Sequence, residues 1–214
     1  SVYVSDTWNH RIQKFDAEGN VIAVWGRFGQ SGALEEMWGP RGIAVGPDGS
    51  VFVADTGNKR IIVFDGQGVG LTVIGSYGYE DGQLDEPVGV AVGGDGAVYV
   101  ADTWNQRIQK FVPVASEGAL AYIFAQKIEV NGWFGQSLDN KPFVAVDGQN
   151  RIYISDPEGY RVIVYGPDGA YLNTVGEAGE ILLTLVSGVA VDANGVLLVS
   201  EPGVDRVVTY PALP

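Results

Sequence analysis

One acid–arginine–aromatic pattern recurs five times along this chain with the same internal spacing. The acid stands five residues before the arginine and nine before the aromatic residue, as in Asp6, Arg11 and Phe15. Successive acids are separated by 49, 47, 54 and 45 residues. A period of this size indicates one supersecondary unit repeated along the chain. The repeated pairs are Asp6 and Arg11, Asp55 and Arg60, Asp102 and Arg107, Asp156 and Arg161, and Glu201 and Arg206.

Each unit has the pattern of four short strands, here named a to d. Small and β-branched residues such as 42–45 form strand a, and 51–54 form strand b. Strand c begins at the repeated arginine, and strand d follows a second turn, as at 21–25. Asp-Gly and Asn-Gly between strands a and b favour two-residue hairpins. Four antiparallel strands in each unit, with no helical periodicity, predict a propeller blade.

The strand count predicts an all-β, four-stranded-blade propeller of which this chain forms a partial ring. The first unit supplies strands b, c and d, three complete units follow, and the last supplies a, b and c. We therefore expect part of a longer six-bladed propeller, or alternatively of a five-bladed one. The predicted blades span residues 1–39, 40–86, 87–141 with an insertion near 112–131, 142–187 and 188–214.

The segment from Asp102 to Phe111, Asp-Thr-Trp-Asn-Gln-Arg-Ile-Gln-Lys-Phe, resembles the NHL repeat, as do residues 6–15 and 55–64. The fourth copy departs from the pattern around Asp156, and the fifth has Glu201 in place of the aspartate. The resemblance implies a propeller, usually six-bladed. It also implies that the b–c turns and d–a loops share one face, which is commonly the binding face.

The repeated acid and arginine are interpreted as structural, because a residue present in every blade is typical of the blade itself. We expect the acid to accept turn N–H groups. The arginine should pair with that acid or with a neighbouring blade.

Composition excludes several classes of function. The net charge of −13 disfavours nucleic-acid partners, and the absence of cysteine excludes thiol catalysis and zinc–thiolate sites. His10 is the only histidine, and no apolar run approaches the ~20 residues that a membrane-spanning helix needs. We expect no catalytic residue, no metal site, no cofactor and no direct membrane insertion by this segment.

Binding residues are sought among positions that differ between blades. Large aromatic residues at turn tips favour contact with a protein or glycan partner, while packing against an adjacent loop remains the alternative interpretation. The candidates are Trp8, Asn9, Trp104 and Asn105 in the b–c turns and Trp38, Tyr79 and Trp133 in the d–a loops.

The sequence therefore favours a non-catalytic binding scaffold that recognises a protein or a glycan through its loop face. Resemblance to exported bacterial repeat proteins implies a bacterial protein and an extracellular, cell-surface or periplasmic location. One alternative is a structural subunit that self-associates through incomplete terminal blades and completes a ring or filament. The other is a lactonase-like metal-dependent hydrolase, implied by resemblance to propeller lactonases.

Overall fold

The computed structural model describes residues 1–116, 119–130, 133, 141–177 and 182–213. About half of these residues lie in five antiparallel sheets, the blades of a propeller, and the predicted all-β propeller fold is confirmed. The three central blades have four strands each, and the first and fifth have three.

Strands within a blade follow one another in sequence and pair with their neighbours. Single 3-10 turns at Thr7–Asn9, Thr56–Asn58 and Pro202–Val204 join strands b and c in three blades. The first blade contains β1 (Val2–Asp6), β2 (Arg11–Phe15) and β3 (Val21–Trp25), and a parallel pair, β4 (Arg27–Phe28) and β5 (Glu36–Met37), lies in the next loop. The second blade contains β6 (Pro40–Val45), β7 (Val51–Asp55), β8 (Arg60–Phe64) and β9 (Gly70–Ile74), and the third contains β10 (Pro87–Val92), β11 (Val98–Asp102), β12 (Arg107–Ser116) and β13 (Ala119–Glu129). The fourth blade contains β14 (Val144–Val146), β15 (Ile152–Asp156), β16 (Arg161–Tyr165) and β17 (Tyr171–Val175), and the fifth contains β18 (Val189–Val191), β19 (Leu197–Glu201) and β20 (Arg206–Tyr210).

The hydrophobic core lies between the blades. The a strands β6, β10, β14 and β18 contact one another in that order, and β1 contacts β6. Between the second and third blades, Phe52 and Ile61 pack with Val98, Val100 and Phe111. Every residue of β7, β8 and β11 is buried, whereas β1 and β3 at the first blade are partly exposed.

Two local features differ from, or extend, the sequence prediction. The a–b turn of the second blade is wider than a two-residue hairpin, because Val45 pairs with Val51 and only Gly49 in this turn has positive φ. The insertion in the third blade lengthens the outer hairpin β12–β13. Its Tyr122 ring stands edge-on to Phe52 at 5.8 Å, so this hairpin reaches back over the second blade.

The repeated acid and arginine form a clamp that holds the preceding d–a loop. In the second blade, Arg60 Nε donates to Asp55 Oδ2 at 2.9 Å, and its terminal nitrogens donate to the backbone carbonyls of residues 32, 33 and 36. Asn58 donates to the carbonyl of Gly29, and the other Asp55 oxygen accepts the Trp38 N–H. The acid, the arginine and the asparagine thereby satisfy five backbone groups of this loop.

The third blade repeats this arrangement and adds a glutamine. Arg107 donates to Asp102 at 2.7 Å and to the carbonyls of Glu80 and Gln83. Asp102 also accepts the N–H of Asp85 at 2.6 Å. The added residue, Gln109, donates to Asp102 and to the Gln83 carbonyl and accepts the N–H of residue 82.

Loop docking changes the electrostatics of the clamp. Burial raises the pKa of the Asp55 and Asp102 carboxyls above the ordinary value, although the surrounding donors act in the opposite direction. At the first blade, the hydrogen bond from Arg11 lowers the pKa of Asp6. Arg60 retains 9% of its side-chain exposure and Arg11 retains 40%, which shows how far a docked loop removes a clamp from water.

Replacing Arg60 by alanine should lower the free energy of unfolding by about 3–5 kcal/mol, because it leaves a buried carboxylate without its cation. Arg11→Ala is the matched control: its Nε–Oδ2 distance to Asp6 is 2.7 Å, but the Arg11 and Asp6 side chains are 40% and 21% exposed. It should cause a much smaller loss. Urea unfolding of both variants measures the difference. Equal losses would mean that loop docking does not strengthen the clamp.

Candidate functional site

The loop face carries a row of exposed aromatic side chains, here called the aromatic rim. Trp8 is 74% exposed and Trp104 54% exposed, both at b–c turns. The d–a loops of the first two junctions supply the other rings. The rim consists of Trp8, Phe28, Trp38, Tyr77, Tyr79 and Trp104.

At each of two junctions, one large ring covers the point where a turn meets a loop. In the second blade the ring belongs to the loop: Trp38 lies against Gly57, whose N–H donates to the Trp38 carbonyl at 2.8 Å. In the third blade the ring belongs to the turn: the Trp104 N–H donates to the Asp85 carbonyl at 3.1 Å. In each junction the residue opposite the tryptophan is smaller than the tryptophan. It is Gly57 opposite Trp38, and Asp85 opposite Trp104.

A lysine connects these two junctions. Lys59 Nζ lies 5.4 Å from the Trp104 ring centroid and 3.1 Å from an Asp85 carboxylate oxygen. Asp85 in turn faces Tyr79, whose hydroxyl lies 3.4 Å from that of Tyr77. The hydrogen bond and charge of Tyr77, followed by burial and Asp85, raise the pKa of Tyr79 above its ordinary value. The result is an aromatic surface with one embedded cation.

His10 connects the first blade to the same surface. Its Nδ1 accepts the Gly39 N–H at 3.0 Å, and its ring centroid lies 4.9 Å from that of Phe28. Gly39 directly follows Trp38, so the turn bearing Trp8 is fixed next to the loop bearing Trp38. The aromatic rim is thus continuous over the first three blades.

Beside Trp8 lies an open cleft of about 560 Å³. Its polar lining includes Asp6, Gln13 and Arg41. Sequence reasoning missed Arg41, although the aligned positions Val88, Pro142 and Ser187 show that an arginine occurs here in this unit alone. The tryptophans were chosen because they differ between blades, and the same criterion could have identified Arg41.

Three candidates have contacts within the fold. Trp133 is 3% exposed and packs in the core with Ile108 and Ile128. Asn105 donates to Asp102 and to the Gly78 carbonyl, and Asn9 donates to Asp6. Trp133 is thus part of the hydrophobic core, and the amides of Asn9 and Asn105 are part of the clamps.

The acids of the fourth and fifth blades are also used within the fold. Asp156 accepts from Arg161 at 2.7 Å, and Glu201 accepts from Arg206 and from the N–H and hydroxyl of Thr184. Those hydrogen bonds lower the pKa of Glu201 despite its burial. The part of the 131–140 loop other than Trp133 lies outside the described residues.

In the described ranges, no three His, Cys, Asp or Glu side chains are grouped so that they could hold a metal ion. Across the same ranges, no helix is long and apolar enough to span a membrane.

Comparison with known proteins identifies the repeat. The NHL repeat model matches residues 37–64 and 84–111, which span the end of a d–a loop and strands a, b and c of the second and third blades. The chain therefore contains NHL repeats, and the resemblance to this family is confirmed. A search of curated protein sequences found no match.

Solved structures share the fold at low sequence identity. A catalytically inactive virginiamycin B lyase from Staphylococcus aureus, with quinupristin, is 13% identical with a TM-score of 0.62, and the alignment covers 98% of this chain and 65% of that one. A gluconolactonase from Xanthomonas campestris is 19% identical with a TM-score of 0.60, covering 90% and 63%. A Lactobacillus plantarum protein is 14% identical with a TM-score of 0.63, covering 98% and 63%.

This chain thus spans slightly less than two thirds of the length of these propellers. At such identities the likeness shows the fold alone.

Gly57→Ala should disturb the aromatic rim, because the added Cβ would lie 2.5 Å from the Trp38 ring. We expect a loss of about 1–3 kcal/mol in unfolding free energy from the forced shift of that ring. Gly148→Ala is the control, since nothing lies within 4 Å of its Cβ. Thermal and urea unfolding of both variants provide the measurement. Full stability of Gly57→Ala would show that Trp38 is free to move away.

Proposed function

We propose that this NHL-repeat propeller is a non-catalytic binding module that recognises a protein or glycan partner through its aromatic rim. The observation that carries the proposal is the continuous exposed surface from Trp8 through Trp38 to Trp104, held by clamps on a rigid scaffold. Exposed tryptophan clusters on rigid loops are typical of recognition surfaces.

The rigidity of the rim favours binding. Trp38 is fixed by its backbone N–H to Asp55, and Trp104 by its backbone N–H to the Asp85 carbonyl. Because the loops are already ordered, they lose little conformational entropy when a partner binds. The Lys59 ammonium, which pairs with Asp85 at 3.1 Å, lies beside the Trp104 ring and helps to fix it.

Two of the similar propellers are enzymes by name, a virginiamycin B lyase and a gluconolactonase. The described residues of this chain include no metal-binding group, and the described repeated acids each pair with an arginine. A carboxylate whose oxygens already accept hydrogen bonds from an arginine and from backbone N–H groups is a poor metal ligand. These features favour binding over hydrolysis.

Loss of the rim tryptophans should abolish partner capture. Trp8→Ala, Trp104→Ala and the double variant are compared with the wild-type chain by affinity capture with quantitative mass spectrometry and on a glycan array. Tyr171→Ala, an exposed aromatic residue on β17 outside the rim, is the control. We expect one partner or glycan class to be retained by the wild type and the control and reduced at least about tenfold by the double variant. Equal capture by all variants would remove the rim from the proposal.

The enzyme alternative has its own test. The chain is incubated with gluconolactone or quinupristin, each with calcium or magnesium added. We expect no conversion above the buffer rate. Metal-dependent turnover that follows the protein concentration would replace the binding proposal with a catalytic one.

A further inference from the structure

The outer hairpin of the third blade is longer than those of the other two complete blades. Strands β12 and β13 pair over ten positions, whereas β8 and β9 pair over four, and so do β16 and β17. In the second blade, strand c ends at Phe64, which is aligned with Phe111. The pairs beyond Phe111, beginning with Val112 opposite Ile123, therefore have no counterpart in the second blade.

The extended hairpin closes one side of a cavity of about 230 Å³, here called the turn pocket. Its apolar walls include Phe52 of β7 and Leu120 and Tyr122 of β13. The Tyr122 and Phe52 rings stand at 86° to each other, so the lining combines the face of one ring with the edge of the other. The pocket lies between the second and third blades, both of which have four strands.

Two carboxylates complete the lining of the turn pocket. Asp48 belongs to the a–b turn of the second blade, and Asp95 to that of the third. Asp48 accepts from the N–H and the hydroxyl of Ser50, and Asp95 accepts the N–H of Ala97. Within the described ranges, neither carboxylate has a lysine or arginine partner. Their negative charge is therefore open to a cation from outside the chain.

The electrostatics of the turn pocket favour a positively charged group. Burial, followed by the charge of Asp48, raises the pKa of Tyr122 above its ordinary value, so this carboxylate acts on the aromatic wall. A cation in the pocket would be attracted both by the carboxylates and by the negative face of an aromatic ring. The net charge of −13 adds a long-range attraction for cations. Charge complementarity thus indicates the class of ligand.

We propose that the turn pocket binds an arginine side chain of a protein partner. The aliphatic part of that side chain would lie along Leu120 and Phe52. Its guanidinium would stack on Tyr122 and donate to the carboxylates of Asp48 and Asp95. This site is separate from the aromatic rim, because the a–b turns lie at the opposite end of the antiparallel strands from the b–c turns.

The lining favours arginine over other cations. A guanidinium is planar, stacks on aromatic rings and carries five N–H donors, so it can reach carboxylates on two separate turns at once. A quaternary ammonium has no N–H donor, and a metal ion would make no use of the apolar walls. A half-open cavity of about 230 Å³ is smaller than the roughly 300–1,000 Å³ of most small-molecule sites, which suits one side chain presented by a polypeptide.

The first experiment titrates the intact chain with the blocked tripeptide acetyl-Ala-Arg-Ala-amide and records NMR spectra. We expect saturable one-to-one binding, with the largest chemical-shift changes at Leu120 and Tyr122. The same tripeptide with citrulline, which has the shape of arginine without its charge, should bind at least about tenfold more weakly. The tripeptide with lysine should bind about threefold more weakly, because an ammonium does not stack on the ring as a guanidinium does.

Variants locate the site. Asp48→Asn and Asp95→Asn remove the charge but keep an oxygen for the turn, and the double variant should bind the arginine tripeptide about tenfold more weakly. Tyr122→Leu should weaken binding about threefold through loss of the ring. Asp168→Asn is the matched control: the sequence Gly-Pro-Asp-Gly occurs at 46–49 and at 166–169, and Asp168 accepts the Ala170 N–H at 3.0 Å but does not line the pocket. Thermal unfolding confirms that each variant is folded.

The proposal is overturned if a folded chain shows no saturable binding, or if the citrulline or lysine tripeptide binds as well as the arginine one. Binding that the double variant at Asp48 and Asp95 leaves unchanged would also overturn it. Butylguanidine tests the source of the guanidinium, since tighter binding of this small molecule than of the tripeptide would exclude a polypeptide as the occupant. Trp8→Ala and Trp104→Ala separate the two sites: they should impair capture at the aromatic rim and leave tripeptide binding unchanged.

Discussion

The structure depends on the charge-assisted hydrogen bonds between one acid, one arginine and the backbone of a loop. A loop between blades carries several backbone groups that must find partners when the blades close over it. Arg60 supplies donors to three carbonyls and Asp55 accepts one N–H, while their mutual contact neutralises both charges in a buried place. Neither an apolar residue nor a lone charge could do this, which explains why each unit has both residues.

The aromatic rim follows from the same contact. A tryptophan at a loop tip binds with little loss of conformational entropy only if its backbone is already fixed. The backbone of Trp38 is fixed because its N–H donates to Asp55. The large ring comes from the d–a loop in one junction, as Trp38, and from the b–c turn in the other, as Trp104. Each junction therefore has room for one ring, and the choice of partner varies while the clamp stays the same.

Sequence reasoning predicted the propeller, the strand order and the incomplete terminal blades because these follow from a repeat and from strand-length patterns. The surface was harder to predict. Trp133 stands in a loop segment like that of Trp38, but it lies in one core cluster with Ile108 and Ile128 of the third blade and with Ile152 and Ile154 of the fourth, a cluster that the sequence pattern does not show. The amides of Asn9 and Asn105 were assigned to binding because their turn was expected to be exposed, whereas their partners lie 3 residues before them in the chain. Arg41 was missed because strand a was considered only as an apolar segment.

The same ten-residue motif has different physical properties at its two best copies. At Asp102 a docked loop removes water and raises the carboxyl pKa, whereas at Asp6 the arginine hydrogen bond dominates and lowers it. The motif thus encodes one side of a junction, and the segment that docks on it supplies the burial and much of the stability. Val2 and Val4 show the same difference, since they are 58% and 41% exposed whereas the aligned Val98 and Val100 are buried. One repeat therefore supplies half of a junction, and its burial depends on the loop that docks on it.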